Sequence, residues 1–378
     1  MQSVNATATS RQDILDLLRL HGRGSLSYSA LQEGMLWYVK PGIGLIQYEQ
    51  LEPISHSPIV LGDPICQPEH ADELLSDFMI AHPDPAFIHI SAETGKVLEK
   101  HGFYVNEMGV ETLIEIQNFT LSGSKKEFLR SQKNRAGKDG VVVRELQEAN
   151  IKADKLRHIS EEWMHRKANH DHELSFLVRP AVFENEPDVR KFVAMHHEEV
   201  IGFVFFDPMY RDGKPYGYMA NILRTLGERS YSITDFIILE AMEKFKREGM
   251  ETLSLGFVPF YGVDDKGEFH YSKPLHDMFK YTYEHANHLY SFKSLAFHKE
   301  RYRPDQPGAC DVKVYAGTKH VLPMFTLYGV FRKMGIHPVT QTLEQAVDCT
   351  EQMIKSVPEE LHHLIQHWRA RPEPAANS

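Results

Sequence analysis

Residues 216–259, YGYMANILRTLGERSYSITDFIILEAMEKFKREGMETLSLGFVP, read as strand, loop, helix and strand, and that order decides the fold. Tyr216–Leu223 is a short apolar run behind Asp212-Gly213-Lys214, as expected of a strand leaving a hairpin. Ser232 stands three residues ahead of Asp235, the hydroxyl-to-carboxylate spacing of a helix start. Ile233, Phe236, Ile237, Ala241 and Phe245 then recur at helical spacing, with Glu243, Lys244, Lys246 and Arg247 largely off that face. Gly249 suits a left-handed cap, and Glu251–Leu255 resumes as a strand. A loop feeding a helix N-terminus presents free backbone N–H groups to an anionic substrate group. An ordinary strand–helix–strand unit without a ligand accounts for the same residues.

Upstream, a helix over Ile151–Lys167 and strands at Arg190–His196 and Val200–Phe206 precede this stretch. Three antiparallel strands, a loop, a helix and a further strand form the order of the GNAT acyltransferase core. The first 118 residues offer a similar order. A helix over residues 10–21 is followed by strands at Leu36–Val39, Gly44–Tyr48 and Ser57–Leu61. Then come a helix at Glu69–Ala81, a strand at Phe87–Ile90, a helix at Glu93–His101 and a strand at Thr112–Ile116. The expected fold is therefore α/β (α+β), with two GNAT-like units in tandem and mixed sheets flanked by helices. The expected divisions are an N-terminal lobe (1–120), a basic connecting segment (121–150), a catalytic lobe (151–310) and an extension (311–378). The extension reads as partly helical, at Leu343–Ser356 and Glu359–Arg369, with a disordered end. No internal sequence repeat accompanies the two halves, so the duplication rests on element order.

Composition narrows the class. The chain has 378 residues, 42% hydrophobic and 25% charged, which is ordinary globular material too long for one typical domain. Its three cysteines, Cys66, Cys310 and Cys349, are far apart and argue for a reducing compartment, hence a cytoplasmic location. The first residues, MQSVNATATSRQD, lack the pattern of a secretory signal, and no apolar run approaches the roughly 20 residues of a membrane span. A formal net charge of −10 disfavours broad coating of nucleic acid.

Against that acidic background, residues 125–144, KKEFLRSQKNRAGKDGVVVR, are strongly basic. Lys125, Lys126, Arg130, Lys133, Arg135, Lys138 and Arg144 outnumber Glu127 and Asp139, which fits phosphate recognition or, alternatively, a solvated helix face. The 22 histidines include His170-Asp171-His172, His196-His197 and His362-His363, none with the spacing of a zinc site, so no metal is expected. No Gly-x-Ser-x-Gly elbow is present, and no cysteine has a catalytic context.

An ordered set of short motifs then points to a family. The set comprises Gly62-Asp63-Pro64; Gly109-Val110-Glu111; Asn118-Phe119-Thr120-Leu121-Ser122-Gly123; Leu129-Arg130 with Asn134-Arg135; Ile159-Ser160 with Trp163; Asp235; Leu255-Gly256-Phe257-Val258-Pro259; and residues 290–304, YSFKSLAFHKERYRP. Together, over about residues 30–305, they resemble the C-terminal domain of phosphatidylglycerol lysyltransferases, the catalytic part of the multiple peptide resistance factor. The resemblance implies a pair of GNAT-like domains that move an amino acid from aminoacyl-tRNA to a hydroxyl of phosphatidylglycerol. By matching motif it puts Arg130, Arg135, Asp235, Lys299, Arg301 and Arg303 at or near the active site. Two departures stand out. The sequence carries no counterpart of the membrane-embedded flippase of full-length members, and the last motif continues as Asp305-Gln306-Pro307 where a Trp and an Arg-Tyr pair are usual.

An aminoacyl ester is already activated, so the enzyme needs chiefly to position the acceptor and stabilise an oxyanion. On this reading Asp235 orients the acceptor or a substrate ammonium, while Lys299, Arg301 and Arg303 hold phosphate and oxyanion charge. The bland alternatives are a helix-end carboxylate for Asp235 and a solvated strand end for residues 299–303. An acyl-CoA donor is the runner-up, because Arg224-Thr225-Leu226-Gly227 keeps half of a pyrophosphate-binding loop, with Arg224 and Gly227 as its contacts. Glu228 brings the wrong sign to such a phosphate. A third alternative is a lipid- or RNA-binding relative without turnover. The expectation is thus an aminoacyltransferase without a resident cofactor, with aminoacyl-tRNA and an anionic phospholipid as partners. Contact with the inner face of the membrane would be peripheral, and the oligomeric state stays open.

Overall fold

The computed structural model describes residues 10–50, 57–149, 151–166, 177–227, 229–264, 267–285, 292–321 and 323. All of them lie in the first of two compact units, Met1–Ile336. The helices expected at Leu343–Ser356 and Glu359–Arg369 fall outside the described residues, as do His170-Asp171-His172, His362-His363, Cys349 and Glu228.

The chain opens with α1 (Arg11–His21), capped reciprocally by Ser10 and Asp13, each side chain bonding the other's amide. Strands β1 (Leu36–Lys40), β2 (Gly44–Gln50) and β3 (Pro58–Leu61) form an antiparallel meander, with the two-residue β4 (Ile65–Cys66) beside β2. Helix α2 (Ala71–Ala81) crosses to β5 (Ala86–Ile90), which runs parallel to β3. Helix α3 (Ala92–Lys100) and β6 (Tyr104–Glu115) complete the first half. The basic segment folds as α4 (Glu127–Lys138), then β7 (Val142–Glu145), α5 (Leu146–Ala149) and α6 (Ala153–Arg166) follow.

The second half repeats the first half's order. Strands β8 (Arg190–His196), β9 (Glu199–Arg211) and β10 (Lys214–Thr225) are antiparallel, and α7 (Ile233–Arg247) crosses to β11 (Thr252–Pro259), parallel to β10. Helices α8 (Lys273–His285) and α9 (Phe292–Glu300) lead to β12 (Ala309–Thr318). Three antiparallel strands, a crossing helix and a parallel strand thus occur twice, which is the tandem GNAT-like arrangement expected from element order.

The strands join one sheet in the order β1-β2-β3-β5-β12-β6-β11-β10-β9-β8-β7. The halves exchange strands at its centre: β6 pairs with β11 of the second half, and β12 pairs with β5 and β6 of the first. The division expected at residue 310 therefore falls inside β12, a central strand. Strand β6 also begins eight residues before the Thr112 expected, at Tyr104. Buried Asn106, Glu107 and Glu111 interrupt its apolar pattern, and each has a partner. Asn106 Nδ2 donates to Ser272 O at 2.8 Å, Lys313 Nζ donates to Glu107 Oε2 at 2.7 Å, and Ser254 Oγ donates to Glu111.

Helix α7 is the hub of the second half because its apolar face is continuous. Phe245 stacks on Tyr218 at 4.7 Å and meets Phe192 and Phe206 edge-on at 5.6 and 5.3 Å. The helix ends as expected, with Gly249 at φ +80° and the Met250 amide donating to Phe245 O at 3.0 Å. Beneath its N-terminus, β10 and β11 pair only over Gly217–Met219 and Thr252–Ser254. Past that point β11 shifts register against β6 between Ser254 and Phe257, and β10 stays with β9 alone. The two strands thus open at their carboxyl ends, the place where open α/β sheets take ligands.

Candidate active site

Asp235 sits in the first turn of α7 over this opening, with none of its surface exposed. Half of the expected capping arrangement forms: the Asp235 amide donates to Ser232 Oγ at 3.2 Å. The other half does not, because the Ser232 amide donates to Gln132 Oε1 of α4 at 2.8 Å. Released from capping, the carboxylate turns inward. Tyr302 Oη donates to Asp235 Oδ1 at 2.9 Å, His298 Nε2 lies 3.0 Å from the same oxygen, and Arg301 Nη1 lies 3.4 Å from Oδ2. Burial by itself would raise the Asp235 carboxyl, but bonding to His298, Ser232 and Tyr302 outweighs it and holds the group below the usual carboxylate range. Burial beside that carboxylate pushes the Tyr302 phenol well above its ordinary value. The result is a fixed anion held by Ser232 at the head of its own helix and by one turn of distant chain, residues 298–302.

Lys299 leaves the same turn in another direction. It is 5% exposed, and its Nζ donates to Phe257 O on β11 at 2.8 Å, next to Gly256. Burial lowers its pKa to about 7, against the opposing pull of Glu111 and Asp311. The solvated strand end considered for residues 299–303 is therefore wrong: α9 runs to Glu300, and Lys299 is buried. Helical spacing turns Lys299 away from the His298–Arg301–Tyr302 face, which an extended chain would not do.

The remaining sequence-predicted residues divide. Arg301 reaches Asp235, but Arg303, at φ +59°, pairs with Asp305 at 2.6 Å. Arg130 donates to the carbonyls of Leu121 and Gly123, so it fastens the Asn118–Gly123 loop to α4. Arg135 approaches Ser230 O at 3.4 Å, just ahead of the α7 N-terminus. Lys126 is buried, with Nζ 3.8 Å from the centre of the Phe119 ring, and burial lowers its pKa. Arg224 is 6% exposed and lies 3.9 Å from the centre of the Trp163 ring, while Gly227 holds a left-handed turn at φ +67°. His298 and Tyr302 escaped sequence reasoning, although their i, i+4 spacing would bring both to one helix face. Among the described residues, no group of three His, Cys, Asp or Glu side chains could hold a metal ion.

Residues 15–309 match the family described as "Phosphatidylglycerol lysyltransferase, C-terminal". Among curated proteins, the phosphatidylglycerol lysyltransferase of Bacillus subtilis (strain 168) is 25% identical over 283 residues, covering 73% of this chain and 32% of that protein. The chain thus spans about a third of the length of that relative. The solved structure of L-PGS from Bacillus licheniformis aligns with a TM-score of 0.69 at 19% identity, over 89% of this chain and 98% of that one. The C-terminal domain of a putative lysylphosphatidylglycerol synthetase from Agrobacterium fabrum aligns with a TM-score of 0.63 at 19% identity, over 82% and 90%. Both structural likenesses concern the fold.

Proposed function

The chain belongs to the family of the phosphatidylglycerol lysyltransferase C-terminal domain, and from that premise we propose that it transfers an aminoacyl group from aminoacyl-tRNA to a hydroxyl of a phosphatidylglycerol-type lipid. The observation that carries this reading is the buried Asp235 carboxylate over the opening of β10 and β11, held ionised by His298, Ser232 and Tyr302, with Arg301 3.4 Å from it. A buried fixed anion suits the ammonium of an aminoacyl donor, since in a low-dielectric site it outcompetes water for that charge.

With the donor ammonium held by Asp235, the acceptor hydroxyl attacks the ester carbonyl. A new C–O ester bond forms, and the bond to the tRNA ribose oxygen breaks. The hydroxyl proton must leave the acceptor and reach the departing ribose oxygen. Lys299, with a pKa of about 7, can exchange that proton near neutrality. Arg301 supplies fixed positive charge for the oxyanion or the lipid phosphate. No covalent enzyme intermediate is needed.

The test is transfer of radiolabelled lysine from lysyl-tRNA into the chloroform-soluble fraction of phosphatidylglycerol vesicles, with labelled acetyl-CoA in parallel. Label from lysyl-tRNA is expected. Asp235→Asn should lower transfer roughly a hundredfold while leaving the melting temperature within a few degrees. Undiminished transfer by the folded variant would remove Asp235 from the mechanism. Label entering only from acetyl-CoA would replace the donor.

A further inference from the structure

Among the exposed large apolar side chains of the described residues, only two are aromatic: Phe128, 42% exposed, and Phe297, 60% exposed. They stand far apart in sequence, on α4 and α9, yet both rings pack on one guanidinium. Arg301 Cζ lies 4.4 Å from the centre of Phe128 and 4.8 Å from that of Phe297. This is the arginine whose Nη1 faces Asp235. Lys125, Arg135 and Lys138, all exposed, lie on or beside α4 near Phe128 in sequence. Two apolar rings are thus displayed to solvent at the mouth of a buried site, one of them, Phe128, within the basic segment of an acidic chain.

We propose that Phe128 and Phe297, with the cationic residues of the α4 segment, form a lip that inserts into the surface of an anionic bilayer beside the Asp235 site. The inference rests on the proposed lipid acceptor, which lies in a bilayer and must reach Asp235 from it. No helix among the described residues is long and apolar enough to cross a membrane, so this contact is an interfacial one. A lipid interface suits these rings better than a nucleotide base, because the guanidinium already covers a face of each ring on which a base would stack. Apolar insertion and basic residues act together: either signal alone gives marginal binding, and the pair gives stable, salt-sensitive attachment.

The experiment measures co-sedimentation with phosphatidylglycerol vesicles and phosphatidylcholine vesicles, without any aminoacyl donor. The intact chain should bind the former and not the latter, and should release as salt rises through roughly 0.5 M. Phe128→Ser with Phe297→Ser should weaken binding about tenfold or more. Phe297→Trp keeps a ring on Arg301, and its emission should shift to the blue on adding anionic vesicles. Vesicle binding unchanged in the double variant, or no blue shift, would overturn the lip. Loss of charged-tRNA binding with vesicle binding intact would assign the rings to RNA and overturn it as well. Vesicle binding that persists in a protein unable to lysylate lipid would count against the proposed function and leave the lip standing.

Discussion

At the scale of single residues, the candidate site holds two ionisable side chains removed from water with opposite outcomes. Asp235 stays charged because bonding to His298, Ser232 and Tyr302 outweighs its burial, and Lys299 is pushed toward neutrality because its carboxylate neighbours do not compensate its own. The lysine makes a pH test possible. Unfolded, it keeps its proton to about pH 10.5; folded, it gives the proton up near pH 7. The unfolded chain therefore binds more protons between those values, and the Lys299 contribution to stability rises with pH there, by up to about 1.4 kcal/mol per unit. Lys299→Met should melt higher than the parent at pH 6 and lose that advantage progressively toward pH 9–10. Parallel pH profiles of the two proteins would show that Lys299 is not a buried, weakened base.

Elements supply the geometry that residues exploit. Helix α7 brings Asp235 to the strand opening because its apolar face seats it on β8, β9 and β10. The seat is close: a Cβ on Gly202 of β9 would lie 2.9 Å from Ile233 Cγ2 and 3.0 Å from Arg224 O. Gly202→Ala should push the first turn of α7 outward, costing about 1–3 kcal/mol. Because that turn carries Asp235, transfer activity should fall further than a change of similar size far from the site. Denaturant melts together with lysyl transfer would expose the claim, since equal stability loss with full activity contradicts it. The strand–loop–helix–strand reading of residues 216–259 was legible because propensity, capping residues and periodicity agree along it. The one point that escaped was the direction of Asp235, since Gln132, a hundred residues earlier, takes the capping amide.

At the scale of the molecule, the two halves are bound by exchanged strands as well as by packed faces. Strand β12 pairs along almost its whole length with β6 and touches β5 on its other side. The family match ends at residue 309, where this strand begins. A chain ending at Gly308 would leave both neighbours with unpaired edges in the middle of the sheet. Such a chain is expected to lack a cooperative thermal transition and to aggregate. A soluble, monodisperse product with a sharp melt by circular dichroism would refute the central role of β12.

The sequence by itself determined the repeated strand–helix–strand order of the two halves, the span of α7 and the family motifs, because these rest on local propensity and on residue type at short spacing; α8, α9 and β12 were not read from it. It also singled out Asp235 and Arg301, which the fold then brought within 3.4 Å of each other. Only the tertiary structure decided the remaining partners. His298 and Tyr302 became ligands of Asp235 through a contact across some sixty residues, and Lys126, Arg130 and Arg303 were engaged by nearby groups. The strand exchange through β12 was hidden for the same reason. Pairing over such distances in sequence is set by which surfaces meet after the chain has closed on itself, and local pattern carries no record of that meeting.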